Sequence, residues 1–246
     1  MSTAVWTERV AAGSPPRLRA RIAGFFWLMT ALTSMFALVV AGKLVVSGDA
    51  AATAASILAN EALFRSGTAA LLVSTACYVA ATLLVYELLK PVSQTVSSMA
   101  AFFSLVGCAV GASSSIFDLA PFVLLRNAQY LSVYTVEQLQ ALSLAFLRLR
   151  AQANDIGLVF FGLHCLLVGY LILRSTFLPR ALGVLMMFGG LGWLTYLSPP
   201  LARSLSPYIM LPGGLGELAL SLWLLVMGVN AQRWKEQAGL AFPPTR

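Results

Sequence analysis

The sequence predicts an all-α protein: an integral membrane helical bundle of about six transmembrane helices, with one or two short interfacial helices on the outer side. Three observations carry this expectation. Of 246 residues, 59% are hydrophobic and 10% are charged, whereas about a quarter of the residues in soluble domains are charged. The apolar residues gather into six runs, each long enough to cross a hydrocarbon core of about 30 Å as a helix. The breaks between the runs are marked by proline, glycine and basic residues. With a mean hydropathy of +0.83, the chain cannot cover itself with water-facing groups, so its apolar excess must face lipid.

Residues 1–21 form a basic tail, in which Ser14-Pro15-Pro16 precedes Arg17, Arg19 and Arg21. The run 22–41 is too long for the apolar core of a signal peptide and lacks a convincing cleavage site, so it is expected to stay as the first span. Five further runs cover about 67–89, 97–123, 155–173, 181–198 and 212–230. Lys90-Pro91 stops the second, Phe177-Leu178-Pro179-Arg180 separates the fourth from the fifth, and Ser198-Pro199-Pro200 stops the fifth. The last helix is expected to open with Pro212 in its first turn, where the missing N–H costs nothing. This places Glu217 near a positive helix end.

Two longer connections also read as helical. Asp49 is placed to cap an alanine-rich helix running through Ala59. Thr135 and Gln138 have the spacing of a capping box. Leu139, Leu142, Phe146 and Leu149 then form a stripe expected either to lie on the membrane surface or to rest on the bundle. The organisation is thus a tail 1–21, one transmembrane domain 22–232 and a C-terminal tail 233–246.

With the N-terminus inside, ten of the 16 basic residues fall on the cytoplasmic side and six outside, which predicts a multi-pass protein with both termini cytoplasmic. Trp27 and Trp234 are expected as interfacial anchors. The net charge of +7 is explained by these flanks. No basic patch lies away from the membrane, so no nucleic-acid partner is expected. Cys77, Cys108 and Cys165 each lie inside an apolar run, with no metal or disulfide spacing, and read as small buried hydrophobes.

Several stretches resemble a known family. They are Gly48-Asp49-Ala50-Ala51-Ala52-Thr53-Ala54 with Ile57-Leu58-Ala59-Asn60-Glu61 and Phe64-Arg65, then Glu137-Gln138-Leu139-Gln140-Ala141-Leu142, then Asp155-Ile156-Gly157-Leu158-Val159-Phe160-Phe161-Gly162-Leu163-His164. Phe177-Leu178-Pro179-Arg180 before Leu182-Gly183-Val184-Leu185, and Gly216-Glu217-Leu218-Ala219-Leu220, complete the set. Together they are similar to an uncharacterised bacterial membrane family filed as a domain of unknown function, the four-three-eight-six family. The resemblance implies a multi-helix fold in the bacterial cytoplasmic (inner) membrane and supplies no activity.

Ionisable residues inside spans need an account, because each costs about 2.5–3.5 kcal/mol on insertion scales. Asp118 shares a helical face with Gly107, Gly111 and Ser114, and the two glycines allow a neighbouring helix to approach closely. Glu61 and Arg65 are an i, i+4 pair with the acid first. His164, the single histidine, is half a turn out of phase with Asp155 and is expected to hydrogen-bond a carbonyl or hydroxyl. Glu61, Arg65, Asp118, Asp155 and Glu217 are all expected in the outer half, around one outward-opening polar pocket. Arg65 is the expected counter-charge to Asp118 and Glu217, with Arg148 and Arg150 in reserve.

The function expected is binding of a lipid or small amphiphile in that pocket, or service as a subunit of a membrane complex. The alternatives are an intramembrane enzyme using Asp118, Glu217 or His164 as acid or base, and a small secondary transporter. Partners are membrane lipids, a lipid-like small molecule or other membrane subunits. No cofactor and no metal site is expected, since one histidine cannot supply a zinc or bis-histidine haem set.

Overall fold

A computed structural model describes residues 15–126 and 129–241. Its helices are α1 (Pro16–Leu44), α2 (Ala50–Ala59), α3 (Glu61–Leu89), α4 (Gln94–Ser114), α5 (Ala120–Leu125), α6 (Val136–Arg174), α7 (Arg180–Leu194), α8 (Pro199–Val226) and α9 (Ala231–Ala241). Short 3-10 segments follow α4 and α7 and precede α6. There is no strand among the described residues. Five helices are long and apolar enough to cross a membrane, or six when Gly214–Val226 and Ala231–Gly239, bent by 101°, are taken as one span.

The helices outrun the apolar windows that announce them, because helical hydrogen bonding continues past the lipid-facing stretch wherever caps allow. Asp49 accepts from the Ala52 N–H at 2.8 Å and starts α2. The Thr135 capping box is present in full, but it opens α6 itself, which runs for 39 residues. The expected surface helix is therefore continuous with the span that follows it. Its buried stripe is Leu139, Ser143, Leu144 and Leu147, while Leu142 and Leu149 face outward and Phe146 stacks on Phe117. α8 begins at Pro199 rather than near Pro212. Glu217 is consequently deep within a helix, and the first-turn dipole argument does not apply to it.

Six long helices meet in chain order around a ring: α1 on α3, α3 on α4, α4 on α6, α6 on α7, α7 on α8, and α8 back on α1. One end, called the base here, carries the start of α1, the α3–α4 and α6–α7 turns, and α9. The other, the crown, carries α2, α5 and the first half of α6, joined through Val40, Leu44, Ile57, Phe64, Phe122 and Leu147. At the base, Gly228 takes φ +70° at the bend after α8. α9 then folds under the bundle, with Trp234 buried and its Nε1–H on the Leu88 carbonyl at 2.8 Å. Trp234 is thus a packing residue rather than an interfacial anchor. Between α9 and the α6–α7 turn lies an open cleft of about 670 Å³.

The α6–α7 hairpin is held by paired glycines. A Cβ on Gly183 would sit 2.7 Å from the Gly169 carbonyl oxygen, and one on Gly190 2.7 Å from that of Gly162. Both are below any tolerable separation, so the backbones touch as small-residue interfaces in lipid do. Gly24 of α1 makes the same kind of contact with Ser221 and Leu225 of α8. The pair expected on α4 divides: Gly107 meets the Phe161 ring, whereas nothing lies within 4 Å of Gly111. The chain turns into a 3-10 segment at Ser115, one turn past Gly111.

Candidate functional site

Each of the six ring helices contributes to a cluster around Glu217. From α8, the carboxylate accepts the Trp27 indole N–H of α1 at 3.0 Å on Oε2 and the Trp193 indole N–H of α7 at 3.0 Å on Oε1. The Tyr78 hydroxyl of α3 approaches Oε2 at 3.4 Å, and the Cys165 thiol of α6 approaches Oε1 at 3.7 Å. His164, also of α6, packs its ring 5.9 Å from that of Tyr78 and 6.1 Å from that of Trp27. Its Nδ1 is 2.9 Å from the Ala100 carbonyl oxygen of α4. A carbonyl only accepts, so Nδ1 carries the proton and a neutral ring presents Nε2 as a lone pair.

These groups share one level. Trp27, Tyr78, His164 and Glu217 each lie about three helical turns from the base end of their helices. Three turns place them roughly 16 Å into the bundle. This corrects two expectations at once: Trp27 is a core residue, and Glu217 belongs to the half nearer the base. Towards the base, leucines and valines including Leu88, Leu220, Leu224 and Val168 close the bundle around a void of only about 10 Å³.

Towards the crown the packing opens. The α1 stripe that meets α8 through Gly24 continues as Ala31 and Met35, and both are exposed. On α8 the stripe through Leu225 and Ser221 continues past Glu217 to Gly214, exposed and with nothing within 4 Å of a Cβ position. These exposed positions of α1 and α8 lie on the crown side of Glu217. Glu217 and Trp193 retain partial exposure there, although both are hydrogen-bonded.

Asp118 belongs to a different place. Its Oδ1 pairs with Arg150 Nε at 2.8 Å, and its Oδ2 accepts from the Thr68 hydroxyl at 2.9 Å. Thr68 and Tyr78, which serve the two acids, are about 15 Å apart along α3. Asp118 and Glu217 thus do not share a pocket, because they contact α3 nearly three turns apart. The counter-charge of Asp118 is Arg150, one of the two residues held in reserve. Arg65 is instead bonded to Glu61 at 2.7 Å, as its i, i+4 spacing predicts. Arg126 binds the other oxygen of Glu61, and both guanidinium groups cover the Phe122 ring. Asp155 is partly exposed on α6, within electrostatic reach of Tyr196 and remote from the histidine cluster. Glu61 and Asp118 therefore belong to two separate ion networks that tie the crown, and among the described residues no cation bonds to Glu217.

The sequence analysis missed Trp27, Tyr78, Cys165 and Trp193 as partners of Glu217. A signal existed in principle: an indole or phenol donor occurs at one depth in three helices. It becomes legible only once helix ends and ring order are known.

An uncharacterised protein of Archaeoglobus fulgidus (strain ATCC 49558 / DSM 4304 / JCM 9628 / NBRC 100126 / VC-16) is 28% identical over 148 residues, covering 58% of this chain and 72% of that protein. No solved structure matches. The family model described as domain of unknown function DUF4386 matches residues 22–228, nearly the entire helical ring, and the chain belongs to that family.

Proposed function

We propose that this protein binds an amphiphile of the surrounding membrane, with the head at Glu217 and the chain in a groove between α1 and α8. The observation that carries the proposal is the convergence of five of the six ring helices on one carboxylate, beside exposed positions of α1 and α8. A binding site of this kind joins apolar walls to a few convergent polar groups. The groove supplies the walls with Ala31 and Met35, and Glu217, Trp193 and Tyr78 supply the polar end. The proposed setting is a bacterial cytoplasmic membrane with both termini cytoplasmic, which the distribution of Lys and Arg supports.

An enzymatic alternative draws on His164, whose Nε2 lone pair in the neutral tautomer would serve as a base among the Trp27 and Tyr78 rings. Asp118 takes no part in it, being committed to Arg150.

The test is mass spectrometry of molecules that co-purify in mild detergent. Wild type should carry a stoichiometric amphiphile, and Gly214→Trp, at a position whose Cβ would meet nothing within 4 Å, should lose it. Equal amphiphile content in the two proteins would overturn the proposal.

A further inference from the structure

The bonding around Glu217 specifies the charge of what it holds. We infer that the head bound at Glu217 is a small organic cation of the alkylammonium class. This rests on the amphiphile proposal above and adds the chemistry of the head.

An indole can only donate, whereas a tyrosine hydroxyl and a cysteine thiol can donate or accept, so the two indoles, one on each oxygen, fix the roles. Two groups converge on Oε1, Trp193 and Cys165, and two on Oε2, Trp27 and Tyr78. An ionised carboxylate accepts at both oxygens and is satisfied by this arrangement. A protonated carboxyl would turn one of these oxygens into an O–H while an indole N–H still points at it. The site is therefore built for the anion.

An anion in the interior of a membrane bundle is normally paired with a cation or metal, or reaches water. The four donors are neutral and supply no charge. The basic side chains that pair with acids, among the described residues, do so elsewhere: Arg150 with Asp118, Arg65 and Arg126 with Glu61, and Arg19 and Lys90 with Glu87. His164 has its Nδ1 proton on Ala100 and bonds no oxygen of Glu217. A cation supplied by the ligand completes the charge balance that the chain leaves open. The proposed groove reaches Glu217 from the lipid side through exposed apolar positions, so the cation is expected to carry a hydrocarbon chain. Trp193, partly exposed beside the carboxylate, suits an ammonium head, which is attracted to aromatic rings as well as to the anion.

Three photoactivatable probes with the same alkyl chain and trimethylammonium, hydroxyl or carboxylate heads would test this in wild-type protein in lipid nanodiscs, with labelled residues mapped by peptide mass spectrometry. The ammonium probe should label groove residues around Ala31, Gly214 and Glu217 at least about tenfold more than the other two, the ratio expected for a charge-assisted contact. Glu217→Gln, which keeps shape and size, should bring the ammonium probe down to the level of the hydroxyl probe. Equal groove labelling by all three probes in wild type would overturn the cationic head and leave the amphiphile proposal standing. Labelling confined to lipid-facing residues such as Leu83 and Phe188, with none in the groove for any probe, would overturn both.

Discussion

Replacing Arg150 with Met removes the cation from a carboxylate that is 4% exposed and leaves Asp118 with Thr68 as its one bonded partner. Breaking a buried pair from one side costs about 3–5 kcal/mol, since the remaining charge keeps its desolvation penalty without its partner. Arg150 itself is 23% exposed, which places the expected loss at the lower end, about 3 kcal/mol. For a chain of this size, that corresponds to a fall in Tm of about 6–12 °C. The double variant Asp118→Leu/Arg150→Met removes both charges and should recover most of the loss, because an apolar replacement of a buried pair is often close to neutral. Cys108 and Cys165 are 5% and 0% exposed. A thiol-reactive dye therefore reports unfolding in detergent without an added label. A Tm for Arg150→Met equal to wild type, or a double variant no more stable than the single, would refute the view that this pair anchors the crown through a buried charge.

Two further expectations follow from the packing and the charge distribution. Gly183→Leu should abolish folded yield, because its Cβ would lie 2.7 Å from a backbone oxygen, whereas Gly111→Leu should match wild type; size-exclusion chromatography of detergent extracts distinguishes them. Single cysteines at Ser2 and Gln237, in a background lacking the three native thiols, should be labelled by an impermeant maleimide only from the cytoplasmic side, and labelling of either in intact cells would overturn the orientation.

What the sequence made legible, and what it did not, follows the range of the forces involved. Helix number, the α2 cap at Asp49 and the capping box at Thr135 depend on contacts within four residues, so they could be read directly. The pair Glu61–Arg65 is equally local. The course of α8 differs from expectation because Pro199 and Pro212 both satisfy a helix start, and the helix begins at the first of them. That single error of register moved Glu217 from mid-helix to a first turn and from the base half to the outer half. Trp27 was misplaced for a related reason: the helix starts six residues before the apolar run, which puts the indole three turns deep instead of at an interface. The choice of Arg150 over Arg65 for Asp118 depends on how α6 lies against α3 and the 3-10 segment after α4, which no periodicity within one helix encodes.

An experimental density map of the protein in lipid nanodiscs, with no ligand added, tests the central claim most directly. The account predicts elongated non-protein density in the groove between α1 and α8, beside Gly214 and Met35, ending within ion-pair distance of the Glu217 carboxylate. A map in which α1 and α8 close against each other along that stripe, with Glu217 paired to a basic side chain of the protein itself, would contradict it.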